Sequence, residues 1–329
     1  MARPVRVADR QPHAVPHQGR PAQHRLHRAR RRLHLDARAP ADPAARTRGP
    51  RCRTASGAAR LPVLLMAETK VERGLVPTPE GYVHLRTTPG DGPDVLLLHQ
   101  VPASGRLWLP VMRSLAPLPC VAPDMLNLGE SDATSRPLSL AEHARLLWDA
   151  VQEARPGPKV VVGHHTGAAL AAVMAAEHPG DVAGLGLIGY PAYFDWRTRL
   201  SKFERLNPVP ATPDGVADVW RFIARAFADD ADPDLVFDAF ADRVRAGRVW
   251  YEGYAALWNA DLAAVLAAAR RPGRPTVVVA PDRDPLSELA GEVGEILDAP
   301  VARIPGGTFV LTEDPAPLAA AVTDLRRNL

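Results

Sequence analysis

Short runs of valine and leucine alternate with helical stretches along most of this 329-residue chain, and this alternation limits the possible folds more than any other feature. The runs are bounded by turn residues, and continuous apolar runs of this length are typical of strands covered on both faces. One further segment alternates apolar and polar residues, as a half-buried strand does. The predicted strands are 82–87, 94–99, 159–163, 182–188, 275–280 and 301–304.

Helical stretches separate these strands. Ser139 is followed three residues later by Glu142, a capping box that predicts the start of a helix. Because strands and helices alternate, the sequence predicts a mostly parallel, doubly wound α/β sheet with helices on both faces. The predicted helices of this part are 139–154, 166–177, 286–297 and 315–327.

The alternation stops between residues 191 and 272, where only helices are predicted, at 214–228, 233–246 and 249–270. Aromatic residues are concentrated here. A helical insertion in a doubly wound sheet predicts a cap over the strand ends, where such sheets bind ligands. The aromatic residues then either line a ligand pocket or form the core of the cap itself. We therefore expect an α/β core at 66–190 and 273–329, and a helical cap at 191–272.

The first 65 residues differ from the rest in charge. They hold 15 of the 40 basic residues and 3 of the 37 acidic ones, which leaves 25 basic and 34 acidic residues in the remainder. Such a charged, weakly apolar segment predicts disorder. Four interpretations remain open: a nucleic-acid-binding arm, a targeting peptide, a plain disordered extension, or a start codon set too far upstream. We favour the last, with Met66 as the true start.

Several classes of partner are not expected. The acidic remainder lacks the basic cluster of a nucleic-acid-binding domain. The sequence also contains no run of about 18 apolar residues, which a membrane-spanning helix would need. The two cysteines, Cys52 and Cys120, have no metal-binding spacing and favour a cytoplasmic protein. The dinucleotide and P-loop fingerprints are absent. The sequence thus predicts an apolar small-molecule substrate and no cofactor. It gives no oligomeric state.

Five motifs, taken together, resemble the α/β-hydrolase-fold family with a helical cap. In that family they form the oxyanion loop, the loop after the fourth strand, the nucleophile elbow, the loop of the triad acid and the loop of the triad histidine. The resemblance covers nearly all of 80–329 and implies the α/β-hydrolase fold. The motifs are LLLHQVPASG at 96–105, APDMLNLGESD at 122–132, VVGHHTGAA at 161–169, VVVAPDRDPLS at 277–287, and RIPGGTFVLTEDP at 303–315.

Two catalytic positions depart from the family pattern. His165 occupies the nucleophile position of the elbow, and Thr308 occupies the position of the base histidine, while the acid Asp284 is present. The elbow projects one side chain over the sheet at a helix N-terminus, which disfavours a charged imidazole. We therefore expect His165 to be a neutral general base, with a nucleophilic role or an inert elbow as alternatives. Whether Asp284 orients His165 or is an ordinary loop carboxylate stays open.

Other candidate site residues follow from the same motifs. Gln100 is expected either to donate to a substrate carbonyl or to bond its own loop, and Ser104 to act with His165 as a nucleophile–base pair. The resemblance implies that Asp124 bonds the backbone. It also implies supporting roles for His99 and His164, which we include among the residues expected around the substrate. That set is His99, Val101, His164, Thr166, Tyr190, Trp196, Trp250, Tyr254, Trp258 and Thr308.

No metal site is expected, because adjacent histidines on a regular strand end do not face one point. Three functions remain. The first is a cofactor-independent enzyme that moves protons on an apolar carbonyl compound in a cyclisation, elimination or isomerisation. The second is a hydrolase that uses water activated by His165 or an unconventional nucleophile. The third is a non-catalytic small-molecule binding protein.

Overall fold

The predicted apolar runs form the centre of an eight-stranded sheet in the part of the chain that the computed structural model describes, residues 69–191, 212–247 and 250–329. The strand order is β1-β2-β4-β3-β5-β6-β7-β8, antiparallel for the pairs β1–β2 and β2–β4 and parallel elsewhere. Both β3 and β5 are buried along their whole length, as predicted for strands with two covered faces. The strands are β1 (Glu72–Thr78), β2 (Gly81–Thr88), β3 (Asp94–Leu98), β4 (Cys120–Pro123), β5 (Lys159–His164), β6 (Val182–Ile188), β7 (Thr276–Pro281) and β8 (Val301–Ile304).

Helices follow most of the strands. Ser139 caps α2, and the predicted capping box with Glu142 is present in both directions. The predicted helix 286–297 begins instead as a 3-10 turn at Pro285–Leu289 and becomes α-helical at Ala290. The helices described are α1 (Leu109–Ser114), α2 (Leu140–Ala154), α3 (Thr166–Glu177), α4 (Pro213–Ala224), α5 (Pro233–Ala246), α6 (Trp250–Trp258), α7 (Leu262–Ala269), α8 (Ala290–Leu297), α9 (Val310–Glu313) and α10 (Pro315–Arg327).

Between β6 and β7 the described residues form helices α4 to α7, which we call the inserted helices. The prediction of one helix over 249–270 was wrong. Helix α6 ends at Trp258, and a second helix, α7, begins at Leu262. Asp261 caps α7, since its carboxylate accepts the amide hydrogen of Ala264 at 3.0 Å. The predicted disordered segment 1–65 lies outside the described residues. So do residues 192–211 of the predicted cap, which include Trp196, and the side chain of Trp250.

Aromatic side chains of the inserted helices pack largely on one another. Trp220 contacts Phe240 edge to face at 5.5 Å between ring centroids, and Trp258 stacks on Tyr254 at 6.0 Å. Such pairs favour the interpretation that much of the aromatic content is the core of the insertion. Among the described residues, no helix combines the length and apolar character needed to cross a bilayer.

Candidate active site

The turn between β5 and α3 has the geometry of a nucleophile elbow. His165 lies between the two elements with φ 51° and ψ −111°, a backbone conformation that residues with a side chain rarely adopt. A Cβ at Gly163 would collide with the Gly167 carbonyl, and one at Gly167 with the Leu98 carbonyl. Only glycine fits at both positions, so the flanking glycines permit the close approach that presents the His165 side chain.

His165 forms a direct hydrogen bond with the acid at the end of β7. Its Nε2 lies 2.7 Å from Oδ2 of Asp284, whose side chain is fully buried. The other Asp284 oxygen accepts the Leu286 amide hydrogen at 2.8 Å. Burial alone would raise the pKa of Asp284, but the charge and hydrogen bond of His165 outweigh it and lower this pKa to about 2. Asp284 is therefore a carboxylate at neutral pH, and Nε2 carries the hydrogen that it accepts.

The opposite ring nitrogen of His165 is available to a ligand. Within the described chain Nδ1 has no hydrogen-bond partner, and it is not among the buried polar atoms. His165 itself borders a cavity of about 1000 Å³. The arrangement thus leaves one nitrogen fixed by an acid and the other open.

His164 lies behind His165 rather than beside the substrate. Its ring is fully buried and contacts the His165 ring in a tilted arrangement, with 4.1 Å between centroids and 39° between the planes. Burial, with a smaller effect of His165, holds the pKa of His164 well below its usual value, so this ring stays neutral. The expectation that His164 contacts substrate is corrected by this position, whereas a supporting role is consistent with it.

One group of potential metal ligands exists here in the described chain. Single ligand atoms of His164, His165 and Asp284 all lie within 4.8 Å of one another. The argument that adjacent histidines do not approach one point was therefore wrong, because the positive φ of His165 folds the two rings together. A metal bound by Nε2 of His165 and by Asp284 would replace the hydrogen bond between these two residues.

Two backbone amides and one side chain form a set of donors for a carbonyl oxygen. The amides of Val101 and Thr166 have no acceptor among the described residues, and both residues border the cavity. They are the amides that an oxyanion hole uses in an elbow of this kind. The side-chain amide of Gln100 also lacks a partner in the described chain and faces the same space. Donors of this kind suit an acceptor oxygen, such as that of a carbonyl group.

Hydrogen bonds of two buried side chains, His99 and Asp124, fix the oxyanion loop. His99 is fully buried, donates from Nδ1 to the Gln100 carbonyl at 2.8 Å and accepts the Met125 amide hydrogen at Nε2 at 2.9 Å. Buried Asp124 accepts the Gly105 amide hydrogen at 2.6 Å and pairs with Arg86 at 2.7 Å. His99 therefore supports the loop, and its expected place on the substrate surface is corrected.

Ser104 does not meet His165. Its hydroxyl donates to Asp242 of α5 at 2.9 Å, and Ser104 is not among the described residues that border the cavity. The expected Ser104–His165 pair is therefore not assembled in this structure. Burial raises the pKa of Asp242, partly offset by the hydrogen bond from Ser104.

The cavity has a volume of about 1000 Å³ and is lined by the oxyanion loop, the elbow, the inserted helices and the loops after β7 and β8. Of the predicted substrate-contacting residues, Val101, Thr166, Tyr254 and Thr308 border it. Tyr190 and Trp258 do not, because the Tyr190 hydroxyl is buried against the Leu262 carbonyl at 2.7 Å and Trp258 packs on other aromatic rings. Sequence reasoning missed apolar wall residues on several elements, among them Phe222, Phe227, Leu235 and Phe309.

Tyr254 joins the inserted helices to the oxyanion loop. Its hydroxyl donates to the Val101 carbonyl at 2.8 Å, and burial raises the pKa of Tyr254 to about 12. A Cβ at Gly253 would approach Val101 within 2.7 Å, so α6 packs directly on this loop. One wall of the cavity is therefore fixed to the residue that offers an oxyanion-hole amide.

Comparison with known proteins agrees with this geometry. A family model described as alpha/beta hydrolase fold matches residues 93–287. Lipase LipV of Mycobacterium tuberculosis is 31% identical over 168 residues, which are 49% of this chain and 60% of the lipase. A haloalkane dehalogenase of Bradyrhizobium diazoefficiens is 25% identical over 167 residues, 48% of this chain and 51% of that enzyme. The matches thus span little more than half of each curated relative.

A solved structure shows the same fold over a longer stretch. A thermophilic esterase from Thermogutta terrifontis superposes with a TM-score of 0.65 at 19% identity, covering 78% of this chain and 98% of the esterase. Together with the strand order and the elbow, the family match is decisive. The chain belongs to the α/β-hydrolase-fold family.

Proposed function

We propose that this protein is an enzyme in which His165 and Asp284 form a base–acid dyad that moves protons on a carbonyl-containing small molecule. The observation that carries the proposal is the 2.7 Å hydrogen bond between Nε2 of His165 and Asp284, with Nδ1 left open beside the cavity. A serine hydrolase needs a nucleophile, a separate histidine and an acid. Here the imidazole occupies the nucleophile position and bonds the acid itself.

The proton steps balance without a cofactor. Nδ1 of His165 takes a proton from a carbon next to the substrate carbonyl, and the electron pair moves onto the carbonyl oxygen. That oxygen accepts hydrogen bonds from the amides of Val101 and Thr166, with Gln100 as a third donor. Asp284 stabilises the imidazolium that forms. The proton then returns to a different atom or to a leaving group, which gives isomerisation, cyclisation or elimination.

Apolar walls support this chemistry. The phenylalanine and leucine side chains around the cavity suit the carbon skeleton of a mostly apolar substrate, and a few convergent polar groups fix its orientation. In such surroundings, hydrogen bonds to a developing oxyanion are stronger than in water. The proposal is therefore an enzyme for enolisable carbonyl compounds.

Hydrolysis is the second candidate, and the comparisons favour it. LipV and the haloalkane dehalogenase carry the names of hydrolytic enzymes. In this alternative Nδ1 takes a proton from water, and the water oxygen attacks an ester carbonyl whose oxygen accepts hydrogen bonds from the same donors. The bond to the alkoxy group then breaks, and the alcohol leaves with the proton that Nδ1 returns. The same dyad serves both reactions, so the identity of the proton donor, carbon acid or water, distinguishes them.

One probe distinguishes the two reactions. Methyl levulinate contains a ketone and an ester, so proton NMR in heavy water follows deuterium uptake beside the ketone and methanol release from the ester in one sample. We expect deuterium uptake catalysed by the wild-type protein and reduced roughly 10²–10⁴-fold by His165→Gln, the usual contribution of a general base. His178→Gln is the matched control, because His178 stacks on Trp148 away from the cavity.

Each alternative result has a meaning. Methanol release that depends on His165 without deuterium uptake would favour hydrolysis. Equal rates for the wild type and His165→Gln in both reactions would refute the dyad, and binding of the probe without turnover would leave a binding protein.

A further inference from the structure

Positive charge outweighs negative charge around the cavity. Of the described residues that border it, five are arginines and two are aspartates, with no lysine or glutamate. An excess of positive charge at a cavity favours anionic ligands. The charged residues are Arg106, Arg113, Arg225, Arg243, Arg283, Asp238 and Asp242.

The two aspartates do not neutralise this excess. Asp238 is paired with Arg106 at 2.7 Å. Asp242 accepts the hydrogen of the Ser104 hydroxyl at 2.9 Å, so its carboxylate is already used by the loop before α1. Arg225 has no acidic partner in the described chain, and the nearest carboxylate to Arg283 is the exposed Asp282 at 3.9 Å. An exposed pair at that distance contributes little.

Arg225 and Arg283 come from distant elements to the same place. Arg225 ends α4, and Arg283 follows β7. A Cβ on Gly307 would be 3.6 Å from the carbonyl of Ala226, the residue after Arg225, and 3.9 Å from Cβ of Arg283. The backbone that carries Arg225 therefore lies near Arg283. Gly307 has no side chain and borders the cavity together with Arg225 and Arg283.

This junction is rigidly packed. Phe227, next to Ala226, stacks on Phe309 at 4.0 Å between centroids with 6° between the planes. The Ala228 amide donates to Glu313 at 2.6 Å, so that carboxylate is used by the backbone and is not on the cavity wall. Two guanidinium groups on fixed supports are suited to a planar or tetrahedral anion, which they bind through paired hydrogen bonds.

We propose that Arg225 and Arg283 form an anion subsite at the cavity, and that the substrate carries a carboxylate or phosphate in addition to its carbonyl group. This inference rests on the proposed function of the same cavity and names its substrate class. Arg283 directly precedes Asp284, so the anion would be held close to the dyad and would direct the carbonyl group towards the oxyanion donors. The excess of cations would also speed the capture of anionic ligands at low ionic strength.

Three related ligands test the subsite by titration calorimetry. Levulinate carries a carboxylate, acetonylphosphonate a phosphonate, and methyl levulinate no charge. We expect at least one anion to bind about tenfold or more tightly than the ester, the size of effect of one or two charge-assisted hydrogen bonds. The tighter of the two anions identifies the substrate group. Equal affinity for all three ligands would overturn the proposal.

Variants locate the effect. The double variant Arg225→Gln/Arg283→Gln should lose the preference for anions about tenfold or more and keep its affinity for methyl levulinate. Arg221→Gln is the matched control, because Arg221 lies on the same helix, pairs with Asp218 and does not border the cavity. Unchanged anion binding in the double variant would also overturn the subsite.

The result is independent of catalysis. His165→Gln should bind the anions as the wild type does even though it lacks proton transfer. If deuterium uptake does not depend on His165 but the anions still bind more tightly than the ester, the dyad alone is refuted. Loss of the preference with intact uptake would refute the subsite alone.

Discussion

The imidazole of His165 lies directly against Gly189, the residue after β6. A Cβ at Gly189 would be 2.6 Å from Cδ2 and 2.8 Å from Nε2 of the ring, and Gly189 has a φ of 58°. Nε2 is the atom that donates to Asp284. The absence of a side chain at Gly189 therefore provides the space through which the elbow residue reaches the acid without an intermediate histidine.

Replacing Gly189 with alanine should damage the dyad. The methyl group would push the ring away from Asp284, and a displacement of about 1 Å costs roughly 10²-fold in rate. The positive φ adds a folding cost of about 1–2 kcal/mol. Deuterium uptake and thermal unfolding would measure the two effects. Gly180→Ala is the control, because nothing lies within 4 Å of its added Cβ, and equal rates for both variants would contradict the expected clash.

A serine triad should be recoverable from this scaffold. His165→Ser alone supplies a nucleophile without a base, so we expect no appreciable hydrolysis of p-nitrophenyl acetate. The double variant His165→Ser/Thr308→His places a histidine at the family position beside Asp284, and its esterase rate should exceed that of the single variant roughly tenfold or more.

Thr308→His alone is the control for this experiment, since it retains His165 and gains no serine. A single serine variant as active as the double variant would show that the position of Thr308 does not supply the missing base.

His143 should make the protein less stable as the pH falls. Its ring is buried in α2 with no hydrogen-bond partner in the described chain, and burial lowers its pKa from 6.5 to about 4. The folded state disfavours the protonated ring, so this stability is complete above pH 6.5 and decreases as the pH falls to about 4. The loss amounts to up to about 3 kcal/mol.

Urea unfolding of His143→Leu at neutral and mildly acidic pH tests this expectation. The variant should lose less stability on acidification than the wild type, although buried His99 and His164 have lowered pKa values and still contribute. An identical pH dependence in both proteins would rule out His143 as a source.

Chelation should leave proton transfer unchanged. A metal bound by Nε2 of His165 and by Asp284 would replace the hydrogen bond that forms the proposed dyad. Treatment with a chelator followed by the deuterium-uptake assay is the measurement. Activity that disappears on chelation and returns with zinc would contradict the proposed use of these residues.

Local sequence features predicted much of the fold. Strand β6 and helices α3 and α10 have the bounds that their composition predicted, and the Ser139–Glu142 capping box lies where its spacing placed it. These features depend on residues close together in the chain. Strand β1 was missed, because its first four residues are exposed and its sequence, ERGLVPT, contains glycine and proline.

The site was predictable only in part. The motifs located His165 and Asp284 in their loops, but the residues are 119 positions apart, and their contact depends on the room left by Gly189. Ser104 was expected to bond His165, yet α5 brings Asp242 to it. Likewise, Arg225 and Arg283 are 58 positions apart, and no local pattern shows that both border one cavity.

The hydrogen bond from Tyr254 to the Val101 carbonyl has a consequence for how this protein can diversify. Insertions between β6 and β7 look like modules that evolution could exchange to obtain new specificities. In this chain an exchanged insertion would also remove the hydroxyl that fixes the oxyanion loop. A chimera that carries the insertion of a relative should therefore lose rate as well as specificity unless a hydroxyl is restored at the position of Tyr254.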